Sequence, residues 1–134
     1  MLGEMIGELR GKRTSRRVLP CEGAGLKVEV SFEGTGKMLG VDVNEIGTYW
    51  AATRPDGTLY GEGQGVVISH AGDMATWVGG GVGQFREGGA VGYRGAIYYQ
   101  TTSPKLARLN SVAVVFEFEV DAQGNTRSQL WEWK

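Results

Sequence analysis

From residue 26 onward the chain alternates. Leu26, Val28, Val30 and Phe32 fall on one side, and Lys27, Glu29, Ser31 and Glu33 on the other. A period of two is the mark of a half-buried strand. The same period returns near the end, where Val112, Val114, Phe116, Phe118 and Val120 share one face. No helical pattern lasts beyond two turns. The chain therefore reads as a row of strands. The first covers about 4–18, with a basic outer phase. The second, LKVEVSFEG, passes through a glycine-rich bend, GTGKMLG, into VDVNEIGTYWAATR. GTLYGEGQGVVIS, MATWVGGGVGQF and AVGYRGAIYYQT follow, and NSVAVVFEFEV and NTRSQLWEWK close the series.

The segments between are turns with a mechanism. In Arg54–Thr58, proline presets φ and Asp-Gly tolerates left-handed positions. PCEGAG at 20–25, His70–Asp73, Arg86–Gly89 and Asp121–Asn125 are further turns. One short helix is expected near 103–110, with Ser103 as N-cap and Pro104 at the first helical position. Consecutive hairpins make neighbours antiparallel. About eight strands is the number at which a sheet closes around its own side chains or one small ligand. The expected fold is all-β, an antiparallel up-and-down barrel of about eight strands forming one domain over 1–134. A sandwich is the alternative. The barrel is preferred because so many glycines lie inside strands.

Of 23 glycines, 13 fall between residues 57 and 95. They do not form a nucleotide site. The dinucleotide fingerprint G-x-G-x-x-G fails at Val66 and Gln84, and no glycine-lysine pair is followed by Ser or Thr. Gly61, Gly63 and Gly65 instead recur with period two, as do Gly79, Gly81 and Gly83. Each set is a strip of strand face without side chains. Such a strip permits sharp coiling, room for aromatic rings, or space for a ligand. Trp50, Tyr60, Trp77, Phe85, Tyr93, Tyr98 and Tyr99 are the candidate covering rings.

Composition narrows the chemistry. Cys21 is the single cysteine, so neither an intrachain disulfide nor a Cys-rich zinc site is available. The start lacks the apolar core of a secretory signal, and no run approaches a membrane helix. A bacterial-type cytoplasmic protein is expected. The net charge of −1 hides a basic segment, Arg10, Lys12, Arg13, Arg16 and Arg17, which leaves nine basic against fifteen acidic residues elsewhere. Without interleaved aromatics the segment reads as a charged strand edge rather than a nucleic-acid contact.

His70 is the only histidine and lies in a turn, which excludes a histidine-based zinc site. No cofactor is expected. Glu62 and Gln64 share a phase with Tyr60, opposite the glycines. If that phase faces the lumen, burial raises the Glu62 pKa and makes it an acid or base. If it faces out, both are surface residues. Glu33 poses the same question. Arg94 could pair with such a carboxylate or with an anionic ligand. Tyr49, Tyr60, Glu62, Gln64, Trp77, Tyr93 and Arg94 are the candidate ligand-binding residues. Trp131 and Trp133 share a face and suit a core or an oligomer contact.

Over residues 28–72 the layout resembles small bacterial proteins with an allene-oxide-cyclase-like barrel. The resemblance rests on Gly34 and Gly36, Gly47 and Tyr49, Gly61 with Gly63 and Gly65, and His70 with Gly72. It implies a small antiparallel barrel, often self-associating. The better-known relatives isomerise or cyclise an apolar substrate in the lumen without a cofactor, but their catalytic residues have no match here. Three readings follow: a barrel that binds a small, largely apolar molecule; a cofactor-free isomerase or cyclase with Glu62 as acid or base; and a barrel whose lumen is packed core. A lumen cavity of roughly 300 Å³ favours the first two. A small apolar molecule and further copies of the chain are the expected partners.

Overall fold

The alternating segments form eight strands in the computed structural model, which describes residues 1–134. They are β1 (Leu2–Leu19), β2 (Lys27–Met38), β3 (Val41–Thr53), β4 (Leu59–Ser69), β5 (Met74–Phe85), β6 (Val91–Thr101), β7 (Ala113–Val120) and β8 (Asn125–Trp133). Each pairs with the next, and β8 returns to β1, so the sheet is a closed barrel. Every pair is antiparallel. The β1–β8 pairing ends at Lys12 and Asn125, so Arg10 and Lys12 lie within the closed wall, whereas Arg16 and Arg17, bonded to β2 alone, stand on the charged strand edge that the sequence suggests. No helix is long and apolar enough to cross a membrane.

The expected turns join the strands where the sequence places them. Asp56 illustrates how. Its Oδ1 accepts the Thr58 backbone N–H at 3.0 Å and the Thr58 hydroxyl at 2.6 Å, and Gly57 takes a φ of 87°. The bend expected over 34–40 differs. β2 runs straight through Gly34 and Gly36 to Met38, and the reversal is confined to Leu39 and Gly40, at φ 51° and 77°. Two positive φ values fit the tight hairpins that match strand twist. Leucine seldom adopts one; here its N–H donates to the Ile6 carbonyl at 2.8 Å.

The short helix is a 3-10 helix, Pro104–Ser111, and it closes one end of the barrel. Leu106 and Leu109 are fully buried there, with Met38, Val67 and Val114. Ser103 makes no side-chain cap. Its hydroxyl accepts the Met74 N–H instead, at 3.1 Å. Arg108 ties the helix to the wall, donating to Glu4 of β1 at 3.0 Å and to Glu132 of β8 at 2.6 Å. The opposite end, rimmed by the β1–β2, β3–β4, β5–β6 and β7–β8 turns, has no such plug.

The glycine phase of β4 and β5 is the lumen phase. Leu59 and Val67, on the same phase as Gly61, Gly63 and Gly65, are buried. Gly61 pairs with Gly81 and Gly63 with Gly79, so the two strips lie side by side. A Cβ on Gly61 would stand 2.6 Å from the Trp50 carbonyl oxygen, and one on Gly81 2.8 Å from that of Arg94. The strands coil too tightly for side chains at these points. Rings use the remaining room: Trp77 lies over Gly65 and Gly47, Phe32 over Gly47, and Tyr93 over Gly83.

Candidate functional site

Choosing the glycine phase as the interior fixes the direction of every candidate residue. Tyr60, Glu62 and Gln64 fall on the outer face of β4, because side chains alternate along a strand. The Tyr60 hydroxyl donates to Glu62 Oε2 at 2.8 Å, at the surface. Trp50 packs edge-to-face on Tyr60 from outside, with Lys27 Nζ 4.7 Å from the Trp50 ring centre. Arg94 is also outside, paired with Glu117 at 3.4 Å. Glu33, Trp131 and Trp133 point outward too. Trp133 is 57% exposed and Trp131 half-buried, so neither belongs to the buried core. Of the two directions the sequence left open for Glu62 and Gln64, the pleat gives the outward one, so Glu62 borders the cavity by its place on the wall but its carboxylate is not the acid or base of the lumen. His70 is exposed in its turn.

Tyr49, Trp77 and Tyr93 do meet inside. They belong to a continuous aromatic cluster. Phe32 stands 6.0 Å from Tyr49, 6.5 Å from Trp77 and 5.1 Å from Phe118, and Tyr49 stands 5.7 Å from both Tyr93 and Phe118. These rings leave a cavity of about 80 Å³ against the bare backbone of Gly61, Gly63, Gly79 and Gly81. That is well below the roughly 300 Å³ of a drug-sized pocket. It is ample for more than one water, which needs about 10–15 Å³.

One inward carboxylate was missed. Glu45 of β3 is 5% exposed and is the one carboxylate among the buried residues, whose other polar side chains are hydroxyls and the Trp77 indole. Burial pushes its pKa up from 4.5 to about 7, opposed by the neighbouring Trp77 indole. That indole is nevertheless not aligned for a hydrogen bond, and the buried Nε1 has no partner. Tyr99, directly opposite Trp77 across β5 and β6, has a buried hydroxyl that is also unpartnered. Burial and the Glu45 charge raise the Tyr99 pKa well above its usual value. A carboxyl, an N–H and an O–H thus gather toward the plugged end, with neither donor satisfied. The signal for Glu45 was in the sequence: it lies four residues before Tyr49, hence on the same strand face.

The fold has counterparts among solved structures. A protein of unknown function from Clostridium acetobutylicum superposes with a TM-score of 0.83 at 12% identity, covering 98% of both chains. A beta-barrel-like protein from Acinetobacter baumannii gives 0.81 at 12% identity, over 100% of this chain and 96% of the other. An enzyme from Penicillium herquei gives 0.69 at 14% identity, over 96% and 92%. No protein-family model and no curated protein matches the sequence. At such identities the likeness establishes the architecture alone: a β-barrel shared with proteins of unknown function.

Proposed function

We propose that the barrel binds a small, largely apolar molecule bearing one hydrogen-bonding group, seated in the lumen with that group against Glu45, Trp77 and Tyr99. One observation carries this reading: two buried donors without partners beside a buried carboxyl. An unsatisfied buried polar group costs about 1–3 kcal/mol, and native cores keep very few. A lumen that served only as packing would be served better by phenylalanine at position 99. The modest cavity volume limits the ligand to a few heavy atoms unless the rings turn aside. We place this binding in the cytoplasm, in keeping with a single free cysteine.

A second reading has its own support. A carboxyl with a pKa near neutrality is suited to proton transfer. Glu45, rather than Glu62, would then be the acid or base of a cofactor-free isomerase or cyclase. The resemblance to allene-oxide-cyclase-like barrels favours this activity, and the description of the Penicillium herquei neighbour as an enzyme favours catalysis without naming a reaction.

Protein purified from its own cells, analysed by native mass spectrometry and at high crystallographic resolution, tests the proposal. A bound organic molecule in wild type that is absent from Glu45→Gln and Tyr99→Phe is the expected result. A lumen holding only water in all three proteins would leave the packed barrel as the answer. If a ligand is found, Glu45→Gln that still binds it but no longer converts it selects the enzyme.

A further inference from the structure

One wall of the lumen cavity carries no side chain. Gly61 and Gly63 of β4 lie beside Gly81 and Gly79 of β5, and all four border the cavity. Residues two apart along a strand are about 7 Å apart, and neighbouring strands lie about 5 Å apart. The bare floor is therefore about the size of one six-membered ring. Phe32, Tyr49, Tyr93, Phe116 and Phe118 border the same cavity from the other strands. A flat ring laid on the glycines meets those rings edge to face, an arrangement that aromatic groups favour. A puckered body cannot lie as close to the backbone.

Trp77 closes one end of this floor with a polar group. It stands two residues before Gly79 on β5, toward the plugged end, and borders the cavity at 8% exposure. Its Nε1 is buried and has no partner. An indole N–H can only donate, so a molecule that satisfies it must bring an acceptor. Glu45, also in the lining, keeps its proton up to about pH 7, and a protonated carboxyl can donate as well. No lysine, arginine or histidine borders the cavity. A negative charge would therefore enter it uncompensated, at a high desolvation cost. A carbonyl oxygen meets these demands. It is uncharged, and it accepts two hydrogen bonds near the plane of its own C=O. When the carbonyl is conjugated to a ring, that plane is also the plane of the floor.

We propose that the lumen's ligand is a neutral aromatic carbonyl compound, its ring flat on Gly61, Gly63, Gly79 and Gly81 and its carbonyl oxygen accepting the Trp77 indole N–H beside Glu45. This rests on the lumen being a binding chamber, and it states what that chamber takes. An apolar cavity that holds benzene measures about 150 Å³, against about 80 Å³ here. The added room comes from turning the lining rings, of which Tyr49 and Phe116, only half-buried, are the least enclosed. Substituents on the far edge of the ligand's ring point toward the unplugged mouth.

The test is calorimetric titration, with NMR at the Trp77 indole N–H, a signal assigned by its loss in Trp77→Phe. The first probe is acetophenone. The second, α-methylstyrene, has the same shape without the oxygen. The third, cyclohexyl methyl ketone, carries the same carbonyl on a puckered ring, and the fourth, benzoate, is planar and charged. Acetophenone is expected to bind at least about tenfold more tightly than each of the others and to shift the indole proton further. In Trp77→Phe, which keeps a ring but no N–H, its advantage over α-methylstyrene should vanish. Should that variant fold poorly, the four wild-type affinities decide alone. If α-methylstyrene binds as well as acetophenone, or the advantage survives Trp77→Phe, the carbonyl contact is overturned. Equal binding of the cyclohexyl ketone overturns the flat ring, and equal binding of benzoate overturns the neutral ligand. Each of these leaves the lumen reading standing. No binding of any probe, with the indole signal unmoved, overturns both.

Discussion

Trp77 and Gly65 stand directly opposite each other on β5 and β4, and the indole lies across the glycine so closely that a Cβ there would be 2.5 Å from ring atoms Cε2 and Cζ2. The ring's position depends on the absence of one methyl group. Gly65→Ala should displace the indole into the cavity and cost about 1–3 kcal/mol, the usual penalty for overpacking. Denaturant unfolding reads the loss, and a changed near-ultraviolet circular dichroism signal reads the moved ring. Unchanged stability and spectrum would mean the ring is not held by this contact.

Glu45 gives the barrel a pH dependence of defined sign. Its folded pKa of about 7 lies above its ordinary value of 4.5. Between these values the folded protein holds a proton that the unfolded chain has released, so raising the pH favours unfolding. The contribution of Glu45 to stability is fully present below about 4.5, falls through the window to about 7, and is lost above it. A gap of that size corresponds to a loss on the order of 3 kcal/mol. Glu45→Gln should flatten the profile from pH 4.5 to 7 and be more stable than wild type above it, as measured by urea midpoints. A wild-type profile that rises across this window would refute the buried neutral carboxyl.

Outward direction makes the opposite forecast for Glu62. Glu62→Gln and Gln64→Ala should each change stability by no more than about 0.5 kcal/mol, as surface substitutions do, and leave lumen ligand binding intact. Loss of binding in either would mean that the wall opens at β4 to admit these side chains.

The end plug should be more sensitive. Leu109→Ala removes a fully buried side chain from above the lumen and should cost about 2–5 kcal/mol. Arg108→Ala severs two part-exposed, solvent-screened ion pairs and should lower the melting temperature far less. Thermal melts of the two variants separate the contributions; equal losses would show that the arginine holds the helix down as firmly as the leucine.

Period and turn chemistry carried most of the architecture. Eight strands, their hairpin order and closure follow from alternation, from Pro-Asp-Gly and similar turns, and from glycines inside strands. The direction of each strand was harder. On β4 alone the two phases are balanced, with Leu59, Val67 and three glycines against Tyr60, Val66 and Ile68. β5 breaks the tie, because Trp77 shares its phase with Gly79, Gly81 and Gly83, and a tryptophan on that strip has bare backbone to lie against. Carrying that phase across the hairpin turns Glu62 out. The same period from Tyr49 brings Glu45 in. Arg13 is hidden differently: in a run of five cations it looks like its neighbours, and only its pairing with inward Phe32 across the β1–β2 hairpin, just before the bulge at Thr14, sets it on the inner phase.

Closure also sets how the chain must reach this state. The Gln129 side chain donates to Glu8 at 3.2 Å across 121 residues of sequence. β1 and β8 can meet only after the six strands between them have aligned. The loop entropy of that last step falls due before its hydrogen bonds form, so refolding belongs in the millisecond-to-second range typical of non-local β topologies. Until the ring shuts, β1 is an open strand with Arg10, Lys12, Arg16 and Arg17 along it, and their mutual repulsion between chains keeps half-built barrels apart.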